Sequence, residues 1–196
     1  MSNEMSDYTR VDLLRIIRMV PSSSWLKLKE ANLEDGDFHG LSFKNAYMER
    51  ASFTRANLQG ANFEGANLYK TNFSGANLMK AHLFGVFMEG TNLESANLEE
   101  AILQGGNFQE ANFSHANLRR ALLEDANLTS AFFGHADLRD AKLFGAIARG
   151  TNFFSANMEG VRLDNTDLSG ASFINVKGLS EEMKGYIRER GGFVVG

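Results

Sequence analysis

From Leu28 to Phe173, every residue whose number ends in 3 or 8 is Leu, Phe or Met, with Ala148 as the single exception. Two residues before these the chain has mostly Ala, with some Thr, Val and Gly, as in Ala51, Ala56, Ala61, Ala66, Thr71 and Ala76. A period of five matches neither the 3.6 residues of a helical turn nor the two of a plain strand, so neither element keeps all the large residues on one buried side. The chain must therefore turn every five residues. Four such turns closing a square put the large residue on the axis and the small one beside it. Stacked coils then bond backbone to backbone at the ordinary strand spacing of about 4.8 Å. Many glycines hold the last place of the unit (Gly60, Gly65, Gly75, Gly85, Gly90, Gly105, Gly145), which suits a turn with φ > 0.

Sorted by twenties, the inward residues form columns. One reads Leu33, Phe53, Phe73, Leu93, Phe113, Phe133, Phe153, Phe173; the next reads Phe38, Leu58, Leu78, Leu98, Leu118, Leu138, Met158. Stacked aromatic rings are expected in the first. Ala148 leaves its column under-filled between Leu128 and Leu168, and a backbone bulge that brings Ile147 inward is the expected relief.

The segment ANLQGANFEGANLYKTNFSGANLMK (56–80) resembles the pentapeptide repeat family, whose pattern is A(D/N)Lxx. The likeness runs over 26–176 without a break in register. It implies an all-β solenoid, a right-handed quadrilateral β-helix of about seven and a half coils. A solenoid end exposes its interior and a free strand edge, so short capping helices are expected at both ends. The expected organisation is 1–25 as an N-terminal segment with a capping helix, 26–176 as the β-helix, and 177–196 as a C-terminal helix and tail. Residues 7–20 read as the first helix, with Tyr8, Val11, Leu14 and Ile17 on its inner side, Pro21 beyond its end and Trp25 nearby. Ser180, Glu181 and Glu182 start the second, which Arg188, Arg190 and Gly191 finish, with Met183, Tyr186 and Ile187 facing the last coil. The tail GGFVVG is read as packing there or pairing with a second molecule.

Chemistry is not legible. The chain has no cysteine and four histidines (His39, His82, His115, His135), and carries no phosphate loop, HExxH or GxSxG. His115 and His135 occupy the same place in adjacent coils, but two imidazoles fall short of the three or four ligands that zinc takes. The sequons at Asn72, Asn112 and Asn127 follow from the repeat, and the recurrent Asn is expected to bond its own turn or its neighbour up the stack. No catalytic residue, metal ligand or cofactor is assigned, and the chain is read as a non-enzyme. A net charge of −4 and a pI near 5.6 argue against direct nucleic-acid binding. No apolar run reaches membrane-spanning length, and a cytoplasmic protein is expected.

The resemblance also implies a partner, because Qnr and MfpA proteins of the family bind DNA gyrase with an acidic rod that imitates DNA. Such a rod needs continuous negative charge. Here the columns Glu99, Arg119, Arg139, Glu159 and Lys80, Glu100, Arg120, Asp140 mix signs. Gyrase modulation is therefore the alternative reading, behind a protein-interaction or scaffold module. The candidate partner-binding residues are large apolar ones in outward places: Phe84, Ile102, Leu122 and Phe144 on one face, and Tyr69, Phe87 and Ile147 on the next. They are expected to form one continuous strip along a corner, for an unidentified protein partner or self-association.

Overall fold

The computed structural model describes residues 8–19 and 26–196. Backbone bridges between 27 and 177 join each bridged residue to the one twenty positions later, from Lys27↔Tyr47 to Asn157↔Lys177, always in parallel. One unit shows why the period is five. The Asn97 amide donates to the Ala76 carbonyl of the coil below (2.9 Å), and those of Leu98 and Glu100 donate to Asn117 and Arg119 above (2.7 and 2.9 Å). The Ala101 amide closes the turn onto the Leu98 carbonyl (3.0 Å). Three bonds hold the stack and one makes the corner, so backbone groups are satisfied although each extended stretch is very short.

The corner demands φ > 0 at the last place of the unit, and residues without a glycine's freedom adopt it too: Glu100 has φ 58° and Arg120 φ 54°. The ladder on both sides over-determines this conformation and offsets its local cost.

Four columns meet on the axis. Besides the phenylalanine face and the leucine face described above, a third carries Phe43, Phe63, Leu83, Leu103, Leu123, Leu143 and Leu163, and a fourth Leu28, Met48, Leu68, Met88, Phe108, Leu128, Ala148 and Leu168, all buried. Rings on the phenylalanine face stack in parallel, with centroids 5.0 Å apart for Phe53 and Phe73, 4.6 Å for Phe113 and Phe133, and 4.8 Å for Phe153 and Phe173. Where Thr replaces the small Ala, its hydroxyl is not left bare. Thr71, Thr91, Thr151 and Thr166 donate to the carbonyls of Met48, Leu68, Leu128 and Leu143 at 2.7–2.9 Å.

At the first coil, α1 spans Arg10–Met19; Tyr8 and Thr9 of the expected 7–20 precede it, and residues 7 and 20 lie outside the described residues. Thr9 and Asp12 bond each other's amides at its start, a reciprocal cap. Of the expected inner residues, Tyr8 and Leu14 pack on the core, Val11 does not, and the Ile17 side chain lies outside the described residues. Val11 is 65% exposed, whereas Leu13 is fully buried in the core and Leu14 and Ile16 pack against it. Leu13 and Ile16 stand three residues apart and so share one side of the helix. Tyr8 still packs on the core, and its amide donates to the Asn32 carbonyl. Pro21 and Trp25 lie outside the described residues.

At the other end, β1 (Ser172–Ile174) is followed by α2 (Glu181–Glu189) and β2 (Phe193–Val195). Ser180 Oγ accepts from the Met183 amide (3.1 Å), and Ile187 is fully buried. The Tyr186 hydroxyl donates to the Leu163 carbonyl (3.0 Å) and accepts from the Asn165 amide (3.1 Å). It thereby takes the place that a threonine hydroxyl and a carbonyl of a further coil hold elsewhere. β2 pairs with β1 in parallel, Ser172 opposite Phe193, so the tail extends the phenylalanine face within the same chain.

The expected bulge at Ala148 is absent. The coil keeps its register through Ile147↔Asp167, Ala148 donates to Asp167 (2.8 Å), and Ile147 stays 42% exposed. The ladder bonds on both sides of Ile147 outweigh one under-filled place in the core. Ala148→Leu should therefore raise stability by about 0.5–2 kcal/mol in a denaturant titration, as cavity-filling changes do. A destabilised variant would show that neighbouring side chains already fill that place.

Candidate interaction surfaces

Outward residues follow three habits. Asn before the core residue accepts from the amide two positions on, as Asn72 does from Ser74 (3.0 Å). The same Asn side chains chain up the leucine face: Asn77 to Asn57, Asn97 to Asn77, Asn117 to Asn97 at 3.0–3.3 Å. Both bonds expected of the recurrent Asn are present. Charged residues pair up the stack: Arg55 with Asp35, Lys44 with Glu64, and Glu100 with both Lys80 and Arg120. These exposed pairs are each weak, and they neutralise the columns on which they stand. His115 and His135 stack at 4.9 Å, and among the described residues no three His, Cys, Asp or Glu side chains gather as a metal site would require. No helix among the described residues is long and apolar enough to cross a membrane.

Asp167 lies above Ile147, where the Ser169 hydroxyl and then the Arg149 guanidinium hold its carboxyl down to about 2. A folded-state value below the unfolded one means the group stabilises the fold above pH ~4 and loses that contribution as pH falls toward 2. Asp12, Asp35, Asp37, Asp137 and Glu181 are lowered too, by hydrogen bonds from Thr9, Arg55, His39, Arg139 and Lys184 respectively. Stability measured by denaturant should fall between about pH 4 and pH 2, and Asp167→Asn should make that fall shallower.

The candidate strip divides. Phe84, Phe87, Phe144 and Ile147 are exposed, whereas Tyr69, Ile102 and Leu122 are half-buried. Phe84 and Phe87 flank one turn, and Phe144 and Ile147 flank the equivalent turn sixty residues on, three coils or about 14 Å away. Gln104, Asn107, Glu124 and Asn127 occupy the same places between them. Ile102 and Leu122 bridge each other on the far side of the third face, and Tyr69 carries the Lys70 ammonium 5.1 Å from its ring centre. The corner thus has two apolar patches rather than one continuous strip. The patch at Phe84 and Phe87 adjoins a shallow groove of about 430 Å³ lined by Asn45, Ala46, Tyr47, Gly65, Asn67 and Phe87, so Tyr47 joins it.

A second surface escaped the sequence reading. On the phenylalanine face, Phe132, Phe154, Phe193 and Val195 are exposed and Ile174 is partly so. The successive segments ANFSH (111–115), AFFGH (131–135), TNFFS (151–155), ASFIN (171–175) and GGFVVG (191–196) contain no Asp, Glu, Lys or Arg. The paired Phe at 132–133 and 153–154, one inward and one outward, and the missing charge were the available signals.

The geometry defines a β-solenoid with a five-residue unit. The family model for pentapeptide repeats matches in eight copies, over residues 27–65, 46–85, 76–113, 106–145, 135–170 and 149–177. The chain belongs to the pentapeptide repeat family, and its fold is that family's right-handed β-helix solenoid. Among solved structures it is similar to HetL, a pentapeptide repeat protein involved in heterocyst differentiation regulation from the cyanobacterium Nostoc sp. strain PCC 7120. The identity is 24% over 84% of this chain and 94% of that one, with a TM-score of 0.34. It is also similar to trypsin-treated QnrB1, a plasmid-mediated fluoroquinolone resistance protein, at 21% identity over 87% and 90% of the two chains, with a TM-score of 0.53. At that identity the second likeness bears on the fold alone. No curated protein sequence matches the chain.

Proposed function

We propose that the chain is a non-enzymatic interaction module, a rod of about seven and a half coils closed by α1 and α2, that docks a protein partner at its apolar corner. The observation that carries this reading is the exposure of Phe84, Phe87, Phe144 and Ile147 in places that neighbouring coils fill with polar side chains. Outward rings on a solenoid contribute little to the core, and aligned apolar patches of this kind mark contact surfaces. The charge pattern supports a partner other than gyrase, because Glu100, Lys80 and Arg120 neutralise one another along a column that a DNA mimic would keep acidic.

The test is affinity capture with the parent protein and with Phe84→Ser and Phe144→Ser variants, beside a supercoiling assay with purified gyrase and a quinolone. A partner retained by the parent and lost by both variants supports the corner. Retention unchanged by both variants overturns it, and protection of gyrase makes the chain a gyrase modulator instead.

A further inference from the structure

The uncharged phenylalanine face carries an oddity that folding does not explain. Gly134 is the one glycine in the place directly after an inward residue, where every other unit from Lys29 to Ile174 has a side chain. Its backbone lies outside the positive-φ set, so the conformation does not require glycine there. A Cβ at that position would meet nothing nearer than Ser114 Oγ at 3.8 Å and the Phe154 carbonyl at 3.9 Å, so packing does not require glycine either. The missing side chain leaves a notch on the surface. Phe132 stands on the same rung, 48% exposed, and Phe154 one coil above, 39% exposed, with its ring edge-on to His135 at 5.4 Å.

A knob one coil from a notch, in the same column, is self-complementary. Two copies laid side by side in opposite directions, with a two-fold axis along the strands between the rungs of 134 and 154, bring Phe154 of each against Gly134 of the other. The same operation places Ser114 opposite Ile174 and Phe132 opposite Asn152. Charge favours this occupant. From 111 to the end of the chain the units of this face hold no Asp, Glu, Lys or Arg, so the pairing brings no like charges together. A partner with a charged surface would bury its charges there unpaired.

We infer that the phenylalanine face, on a different side from the corner patches, is a homodimer interface in which Phe154 of one copy fills the Gly134 notch of the other. The contact spans the four rungs from 111–115 to 171–175, about 14 Å, which is smaller than a standard interface, and self-association in the micromolar range is expected. Sedimentation velocity from about 1 to about 200 micromolar tests it. The parent should shift from monomer to dimer across that range, while Gly134→Leu and Phe154→Asp should stay monomeric with unchanged circular dichroism. Phe84→Asp should dimerise like the parent. Because the chain has no cysteine, Ser114→Cys combined with Ile174→Cys should be joined between copies by a short bismaleimide cross-linker, whose reach suits faces packed about 10 Å apart. A parent that stays monomeric throughout overturns the inference. So does a dimer that survives Gly134→Leu, or one broken only by Val194→Pro on the free edge of β2.

Discussion

Gly106→Ala should lower stability by about 1–3 kcal/mol, the ordinary cost of overpacking, although it replaces glycine with the residue favoured at that place. The added Cβ would stand 2.5 Å from Phe108 Cε2, 2.9 Å from its Cζ and 3.2 Å from the Leu103 carbonyl. Phe108 is the one phenylalanine in its column, and its ring folds back over the small place two residues earlier. Phe38 does the same on the leucine face, where a Cβ on Gly36 would collide with its ring. These two glycines are the only ones in the small place of any unit, and each precedes the only phenylalanine of its column. On the phenylalanine and third faces the rings lie otherwise, and Ala61 and Ala111 accompany Phe63 and Phe113 without conflict. The double variant Gly106→Ala with Phe108→Leu should therefore recover most of the loss, since Leu fills that column at 68 and 128. Denaturant titration of the parent, the two single variants and the double variant reads the coupling directly. Additive losses would mean that the ring does not need the glycine.

The second large effect is expected at Phe133. It is fully buried and stacked between Phe113 at 4.6 Å and Phe153 at 5.2 Å. Phe133→Ala should cost about 3–5 kcal/mol, from lost transfer free energy and the cavity left between rings that the ladder holds in place. In a chain of this size that lowers the thermal midpoint by roughly 10 °C or more. Phe133→Leu should cost much less, because Leu93 already sits in this column between Phe73 and Phe113. A midpoint for Phe133→Ala within a few degrees of the parent would contradict the packing described here.

The repeat itself was legible, because Leu, Phe and Met recurring at every fifth residue admit few backbones; the four-sided coil, and with it the twenty-residue sort, comes from the resemblance to pentapeptide repeats. Other features needed coordinates. On α1, Tyr8 and Leu14 pack inward as their spacing suggests, but Val11 and Leu13 are equally apolar, so sequence does not show that Leu13 is the buried one. Ile147 was expected to turn inward to relieve Ala148, but sequence gives no measure of how strongly the ladder resists a bulge. The strip was read as continuous because apolar character alone was counted. Exposure separates Phe84 and Phe87 from Ile102 and Leu122, whose side chains lie half-covered. Gly36, Gly106 and Gly134 were all visible as exceptions to the pattern, yet a glycine excess in a turn-rich repeat hides three that serve no turn.

The outward rings are surplus to folding and free for contact. A single variant carrying Phe84→Ser, Phe87→Ser, Phe132→Ser and Phe154→Ser tests this by denaturant titration at dilute protein, where association does not contribute. Four surface changes of this kind should together cost less than about 2 kcal/mol, less than Phe133→Ala alone. A loss larger than that of Phe133→Ala would place these rings in the core and contradict the account.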